Sequence, residues 1–194
     1  MHDKKSLLNK DNWIARVSFW MIRFMHDNIL LRKLRNPFQE LESLGVKKGQ
    51  KVLEIGCGPG FFTIPAANMV GAEGHIYSLD VNPFFVRHVS KKVVQKGVTN
   101  AEVLHANAAD TGLPGHHIDL AFFIGVPHVS GGIQPVFCEL NRVLKPNGRV
   151  SFHLGRWSEE TIVDEMAKCR FELDETSGPI RVFRKLGALH ETNE

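Results

Sequence analysis

Val52-Leu53-Glu54-Ile55-Gly56-Cys57-Gly58-Pro59-Gly60-Phe61-Phe62-Thr63 reads as an apolar strand that runs into alternating glycines and on into a helix. Glycines at this spacing let the backbone turn sharply and keep side chains away from anything that approaches it. The helix beyond presents its unbonded N–H groups to the same crevice. The next strand, His75-Ile76-Tyr77-Ser78-Leu79-Asp80, ends in an acid placed to accept both hydroxyls of a ribose. Glycine loop, helix and terminal acid together point to a nucleoside ligand beyond the carboxyl ends of the strands.

Outward from this unit, strands and helices alternate. A helix over 84–96 sets Arg87, Lys91, Lys92 and Lys96 opposite Val86, Val89, Val93 and Val94. A third strand covers 101–105. A fourth, 118–124, is nearly continuously apolar, as a strand covered on both faces should be. A helix over 133–144, a strand over 149–154 and a helix over 159–168 follow. Strands 170–175 and 180–185 flank Ser177-Gly178-Pro179, a link too short for a crossover, so they pair antiparallel. The pattern predicts an α/β fold over residues 46–194: a doubly wound, seven-stranded, mostly parallel, Rossmann-like sheet. Residues 1–45 precede it as an N-terminal helical extension. Trp13, Ile14, Val17, Trp20, Met21, Phe24 and Met25 recur at helical steps there, Asn36-Pro37 interrupts, and a short helix over 37–44 stops at Gly45.

The 194 residues carry 24 basic and 21 acidic side chains and are 43% hydrophobic, ordinary values for one globular domain. Disorder, collagen and a disulfide scaffold are excluded on this composition. Arg16, Arg23 and the Arg32/Lys33/Arg35 group interrupt the most apolar stretch too early for a membrane span, and it lacks the cleavage site of a secretory signal. Cys57, Cys138 and Cys169 are odd in number and irregularly spaced, from which neither a disulfide framework nor a metal site is expected; a reducing, cytoplasmic location fits. Residues 1–51 hold 11 basic and 5 acidic side chains. That basic leader is either a solvated surface or a contact for an anionic partner such as a membrane.

The dinucleotide fingerprint needs a third small residue for close packing and for a pyrophosphate at the helix N-terminus. Here that position is Phe61, which disfavours NAD. Residues 52–63 instead resemble the first motif of the class I S-adenosylmethionine-dependent methyltransferases. Asp80 falls at that family's ribose-binding acid. Asn107-Ala108 before Thr111-Gly112-Leu113-Pro114 is similar to its Asp-Ala and Leu-Pro turn, and residues 141–149 are similar to the stretch before its fifth strand. The resemblance spans roughly residues 45–185, and among small-molecule members it looks closest to enzymes of quinone biosynthesis and arsenite methylation. It implies that Glu54 and the Gly56, Cys57, Gly58 and Gly60 backbone receive the methionine end of the cofactor. It further implies that Asp80 holds the ribose, Val81 lies against the adenine, Asn107 and Ala108 meet its edge, and Gly125 lies beneath the sulfonium. Asn107 departs from the usual aspartate, and its amide can accept from the exocyclic amine or donate to a ring nitrogen.

Methyl transfer needs a nucleophile held on axis about 3–3.5 Å from the methyl group, and a base only where a proton must leave. His128 follows the fourth strand and is the candidate base or orienting group, the alternative being a loop histidine closing over the cofactor. His116-His117 has no third ligand at metal spacing, His153 points either into the sheet face or at the crevice, and Cys57 and Tyr77 are expected to pack. The Ile124-Gly125-Val126-Pro127 segment lacks the motifs of DNA methyltransferases, so no nucleic-acid partner is expected. The leader's aromatic and methionine side chains serve as a lid over a small or lipophilic acceptor, as fastening to the sheet, or as a peripheral membrane contact. The reading is a methyltransferase of small molecules, a monomer or homodimer, that yields S-adenosylhomocysteine. Its alternatives are a non-catalytic S-adenosylmethionine-binding protein, an NAD-dependent oxidoreductase and a nucleic-acid or protein methyltransferase.

Overall fold

The computed structural model describes residues 36–124, 132–155 and 157–187. The leader helix expected over residues 13–25 lies outside them. The first helix, α1 (Pro37–Ser43), starts where Asn36 Oδ1 accepts from the Phe38 and Gln39 amides, and Pro37 occupies its first turn. Its Leu41 is buried, as are Leu44 and Val46 just beyond. The alternating elements that follow are β1 (Lys51–Ile55), α2 (Thr63–Val70), β2 (His75–Asp80), α3 (Pro83–Gln95), β3 (Ala101–His105) and β4 (Ile118–Phe123). After these come α4 (Gln134–Val143), β5 (Leu144–His153), α5 (Glu159–Lys168), β6 (Phe171–Ser177) and β7 (Ile180–Lys185).

The strands form one seven-stranded sheet in the order β3-β2-β1-β4-β5-β7-β6. β7 pairs antiparallel with both β5 and β6, and every other pairing is parallel. Strand order reverses between β1 and β4, which puts the crevice of such a sheet beside the glycine loop. Alternation along the strands splits the core in two. Val52, Ile76, Leu120 and Phe122 pack with α1 and α2, whereas Leu53, Ile55, Leu79, Phe123 and Phe152 pack with α4 and α5. Phe152 stacks on Phe123 at 4.4 Å and on Phe183 at 5.7 Å, tying β4, β5 and β7 together. No helix spans the link from β3 to β4, whose residues 106–117 hold only an Asn107/Asp110 bridge.

Three details differ from the sequence reading. On α3 the buried stripe is Phe85, Val89 and Val93, and Val94 is 78% exposed. Positions four apart share a helix face, while the residue after Val93 is rotated by about 100° out of that face. β5 begins at Leu144 rather than 149, because Leu144 pairs with Ile118 ahead of an irregularity in the β4 register. Most consequential, Cys138 of α4 and Cys169 at the end of α5 form a disulfide, with Cα atoms 4.9 Å apart. Their separation of 31 residues hides the contact; the docking of α4 against α5 makes it. The cysteines therefore give no support to a reducing compartment.

Two outcomes follow from this packing. Cys57 is the free cysteine, so thiol titration in denaturant should find one thiol per chain without reductant and three after reduction. Opening a loop of this length should cost about 3–4 kcal/mol, lowering the melting temperature by about 10 °C. Ser151, fully buried on β5, has a hydroxyl with no hydrogen-bond partner among the described residues. Ser151→Ala should then raise the denaturation free energy by up to about 1 kcal/mol; a loss of stability would contradict the orphaned hydroxyl.

Candidate active site

The glycine loop is hung from β2. The amides of Gly56 and Cys57 both donate to the Leu79 carbonyl, at 2.9 and 3.0 Å, so the strand-to-loop turn is tied to the residue before Asp80. Asp80 completes the attachment. Its Oδ2 accepts the Gly58 amide at 2.9 Å and its Oδ1 accepts the Asn82 amide at 2.8 Å. Gly58 has φ +49°, and a Cβ built on it meets nothing within 4 Å. A side chain there would stand in the open crevice, which is the space an approaching ligand needs. Gly60 is required for a different reason: its φ is +75°, which a side chain disfavours, and a Cβ would press on the Val89 methyls at 3.0 Å.

Beneath the loop Glu54 is buried, and its Oε2 accepts the hydroxyls of Thr63 and Ser78, each at 2.6 Å. Burial is the main cause that pushes its carboxyl up to about 7. The two hydroxyls and the Lys92 ammonium pull the other way, and the Asp80 charge adds to the rise. Asp80 is also raised by burial, against the opposing pull of its backbone donors and of His105. Lys92 escapes the sequence reading, which puts it on the solvated face of its helix. Its ammonium reaches the Gly60 carbonyl at 3.1 Å and the Pro59 carbonyl at 3.5 Å, caught because it flanks the buried Val89/Val93 stripe. Cys57 packs, as expected, turning its sulfur into the cluster with Val89 and Val93. The helix-terminus setting that would lower its thiol is outweighed by burial and by the Glu54 and Asp80 charges, which push it far up.

The rim carries Val81, Asn107 and Ala108. Val81, next to Asp80, is 65% exposed, an apolar surface just past the carboxyl end of β2. His105, not singled out from the sequence, aligns with Asp80 across β2 and β3 and has Nε2 3.1 Å from the Val81 carbonyl. Ala108 is buried against the core while Asn107 is exposed. Asn107 Oδ1 accepts the Ala109 amide at 2.9 Å, which turns the amide's donors outward. The segment that follows is pinned by Glu139 of α4, which accepts both the Thr111 amide (2.9 Å) and hydroxyl (2.6 Å). Arg142 joins the same network, bonding Glu139 and the Leu113 carbonyl.

Elsewhere, Tyr77 is half-buried and its hydroxyl lies 2.9 Å from His117 Nε2. Among the described residues no group of three His, Cys, Asp or Glu side chains is placed to hold a metal. His153 faces the α1 side of the sheet, with Nε2 3.7 Å from Glu40. Gly125 and His128 lie outside the described residues. The cradle fits a nucleoside with a charged amino-acid arm, since the loop is open at Gly58 and floored by carboxyls at Glu54 and Asp80. At the dinucleotide position Phe61 lies edge-on to Phe62 at 4.8 Å and packs against the apolar cluster with Ala66 and Ala67, where the fingerprint needs a small residue.

The methyltransferase-domain family profile matches residues 52–148, half of the chain. A demethylmenaquinone methyltransferase of Geobacillus stearothermophilus is 32% identical over 109 residues, which are 56% of this chain and 46% of that enzyme. The chain spans about half the length of the curated relatives it matches. Among solved structures, a SAM-dependent methyltransferase from Aquifex aeolicus superposes with a TM-score of 0.73 at 24% identity, over 86% of this chain and 96% of that one. An arsenic(III) S-adenosylmethionine methyltransferase from Chlamydomonas reinhardtii gives 0.59 at 18% identity, over 75% and 66%. These likenesses bear out the doubly wound, seven-stranded sheet.

The raised Glu54 carboxyl makes stability depend on pH. Unfolded, the group ionises near 4.5, whereas folded it holds its proton to about 7. The protonated group's stabilising contribution is present below about pH 4.5, is lost as pH rises, and is gone above about 7, a span of about 3 kcal/mol. Glu54→Gln should flatten this component, so denaturation at pH 5 and pH 8 should show a smaller loss in the variant. Equal losses in both proteins would contradict the assignment.

Proposed function

We propose that the chain, which belongs to the methyltransferase-domain family, binds S-adenosylmethionine at the Gly56–Gly60 loop and methylates a small, lipophilic acceptor, releasing S-adenosylhomocysteine. The observation that carries this reading is the Asp80 carboxylate, which fixes Gly58 and borders the exposed Val81. Each Asp80 oxygen keeps lone-pair capacity beyond its backbone bond, enough to accept ribose hydroxyls. Val81 then covers one face of the adenine, and Asn107 and Ala108 meet its edge. Glu54 and the loop backbone at Gly56, Cys57, Gly58 and Gly60 receive the methionine arm, with Gly125 beneath the sulfonium. When bound, the cofactor supplies an electrophilic methyl group; the chain's own residues bind, orient and exclude water. His128 is proposed as a base or orienting group on the acceptor side.

The acceptor is carried over as a class only. Relatives named for demethylmenaquinone support a lipophilic aromatic acceptor. A contact of the basic residues 1–35 with an anionic membrane surface would bring such an acceptor within reach. No helix among the described residues is long and apolar enough to cross a membrane. A cytoplasmic location belongs to the same proposal, and the Cys138–Cys169 disulfide is the observation that argues against it.

Calorimetric titration with S-adenosylhomocysteine, S-adenosylmethionine and NAD tests the reading. The first two should bind, and Asp80→Ala should weaken both by about tenfold or more, equivalent to about 1.4 kcal/mol, through lost charge-assisted hydrogen bonds. Binding of NAD alone, or of none of the three, would overturn it.

A further inference from the structure

We infer that Lys92 is a positioning residue for the cofactor's amino-acid arm: reaching over from α3, it holds the far half of the glycine loop in the shape that receives that arm. The inference rests on the S-adenosylmethionine reading and adds to it a residue outside the loop itself. The near half of the loop is fixed by β2, where the Leu79 carbonyl accepts the Gly56 and Cys57 amides and Asp80 accepts the Gly58 amide. Pro59 and Gly60 are fastened from the other side. The Gly60 amide closes a turn on the Cys57 carbonyl at 2.9 Å, and the Pro59 and Gly60 carbonyls accept from the Lys92 ammonium at 3.5 and 3.1 Å.

Gly58 and Gly60 both have positive φ, +49° and +75°, so this half of the loop has many shapes to choose among. A cation that gathers two successive carbonyls removes most of those shapes before a ligand arrives, which lowers the ordering cost of binding. Seating α3 does not call for this contact. Phe85, Val89 and Val93 are buried along the helix, and Val89 lies so near Gly60 that a Cβ there would meet it at 3.0 Å. Arg87, Lys91 and Lys96, the other cations of this helix and its end, are exposed, whereas Lys92 is half-buried beside the loop.

The same ammonium reaches the floor of the loop through its field. Burial raises the Glu54 carboxyl and the Asp80 charge adds to the rise; the Ser78 and Thr63 hydroxyls oppose it, and so does Lys92. A floor kept closer to ionisation attracts the ammonium of an amino-acid arm. Both effects fall on the arm. The nucleoside end is bordered instead by Asp80 and Val81, at and just past the end of β2.

The test is calorimetric titration of the full chain with two probes, S-adenosylhomocysteine, which carries the arm, and 5′-methylthioadenosine, which lacks it. Lys92→Met removes the charge and the donors at similar length. It should weaken S-adenosylhomocysteine by about tenfold and leave 5′-methylthioadenosine within about twofold of wild type. Lys92→Arg, which keeps charge and donors, should hold S-adenosylhomocysteine within about threefold. Lys91→Met, the same charge change on the exposed face, should alter neither affinity. In the unliganded chain, amide hydrogen exchange over residues 56–62 should be faster in Lys92→Met and unchanged in β1 and β2. Where Lys92→Met does not fold, Lys92→Gln replaces it, with a loss of at least about threefold required. Unchanged S-adenosylhomocysteine affinity, or unchanged exchange in the loop, would overturn the inference. So would an equal loss for both probes, which marks a general structural role, or an equal loss in Lys91→Met, which marks net charge alone. Failure of the wild type to bind S-adenosylhomocysteine at all would instead sink the methyltransferase reading.

Discussion

Asp80 accepts a backbone amide on each carboxylate oxygen, from Gly58 on one side and Asn82 on the other, and so joins the loop after β1 to the start of α3. The loop has positive φ at three glycines and would be free to take many shapes by itself. A charged acceptor on a strand end, held in place by the β1–β2 and β2–β3 ladders, selects one of them. The same bond also keeps a carboxylate, which water would otherwise solvate, at the crevice floor where a ligand hydroxyl can reach it. Stability of the loop and readiness for a ligand thus come from one interaction.

Around that bond the loop is built on opposed charges. Glu54 lies beneath it with two hydroxyl donors, and the Lys92 ammonium closes on the Pro59 and Gly60 carbonyls. Burial works against the Glu54 charge, which is why its protonation reaches into the neutral range. A cationic amino-acid arm arriving above it would favour the ionised form. Binding of such an arm would be coupled to proton release from Glu54.

The parts of this architecture that were legible in the sequence are those written locally. Residues 51–55 run directly into Gly56 and residues 75–80 directly follow Gly74, and the structure has strands at Lys51–Ile55 and His75–Asp80. The glycine loop and Asp80 could be read because each chemical requirement falls on one residue. What could not be read depends on pairs far apart in the chain. Lys92 looks like any surface lysine until α3 packs on Gly60, and Cys138 and Cys169 look unrelated until α4 meets α5. His153 left two directions open from its strand position alone, and Glu40, 113 residues earlier, shows which was taken. Val94 was misplaced for a simpler reason: a run of adjacent valines has no helical period of its own.

The Glu139 network has a consequence for the order in which the pocket can be made. Because no helix organises residues 106–117, the Thr111 and Leu113 end of that link takes its shape from Glu139 and Arg142, which the ribosome adds roughly thirty residues later. A nascent chain that ends after β4 already contains the glycine loop and Asp80, yet lacks the helix that fixes the far rim. The far rim of the crevice therefore takes its shape only once α4 has been made and has packed against it.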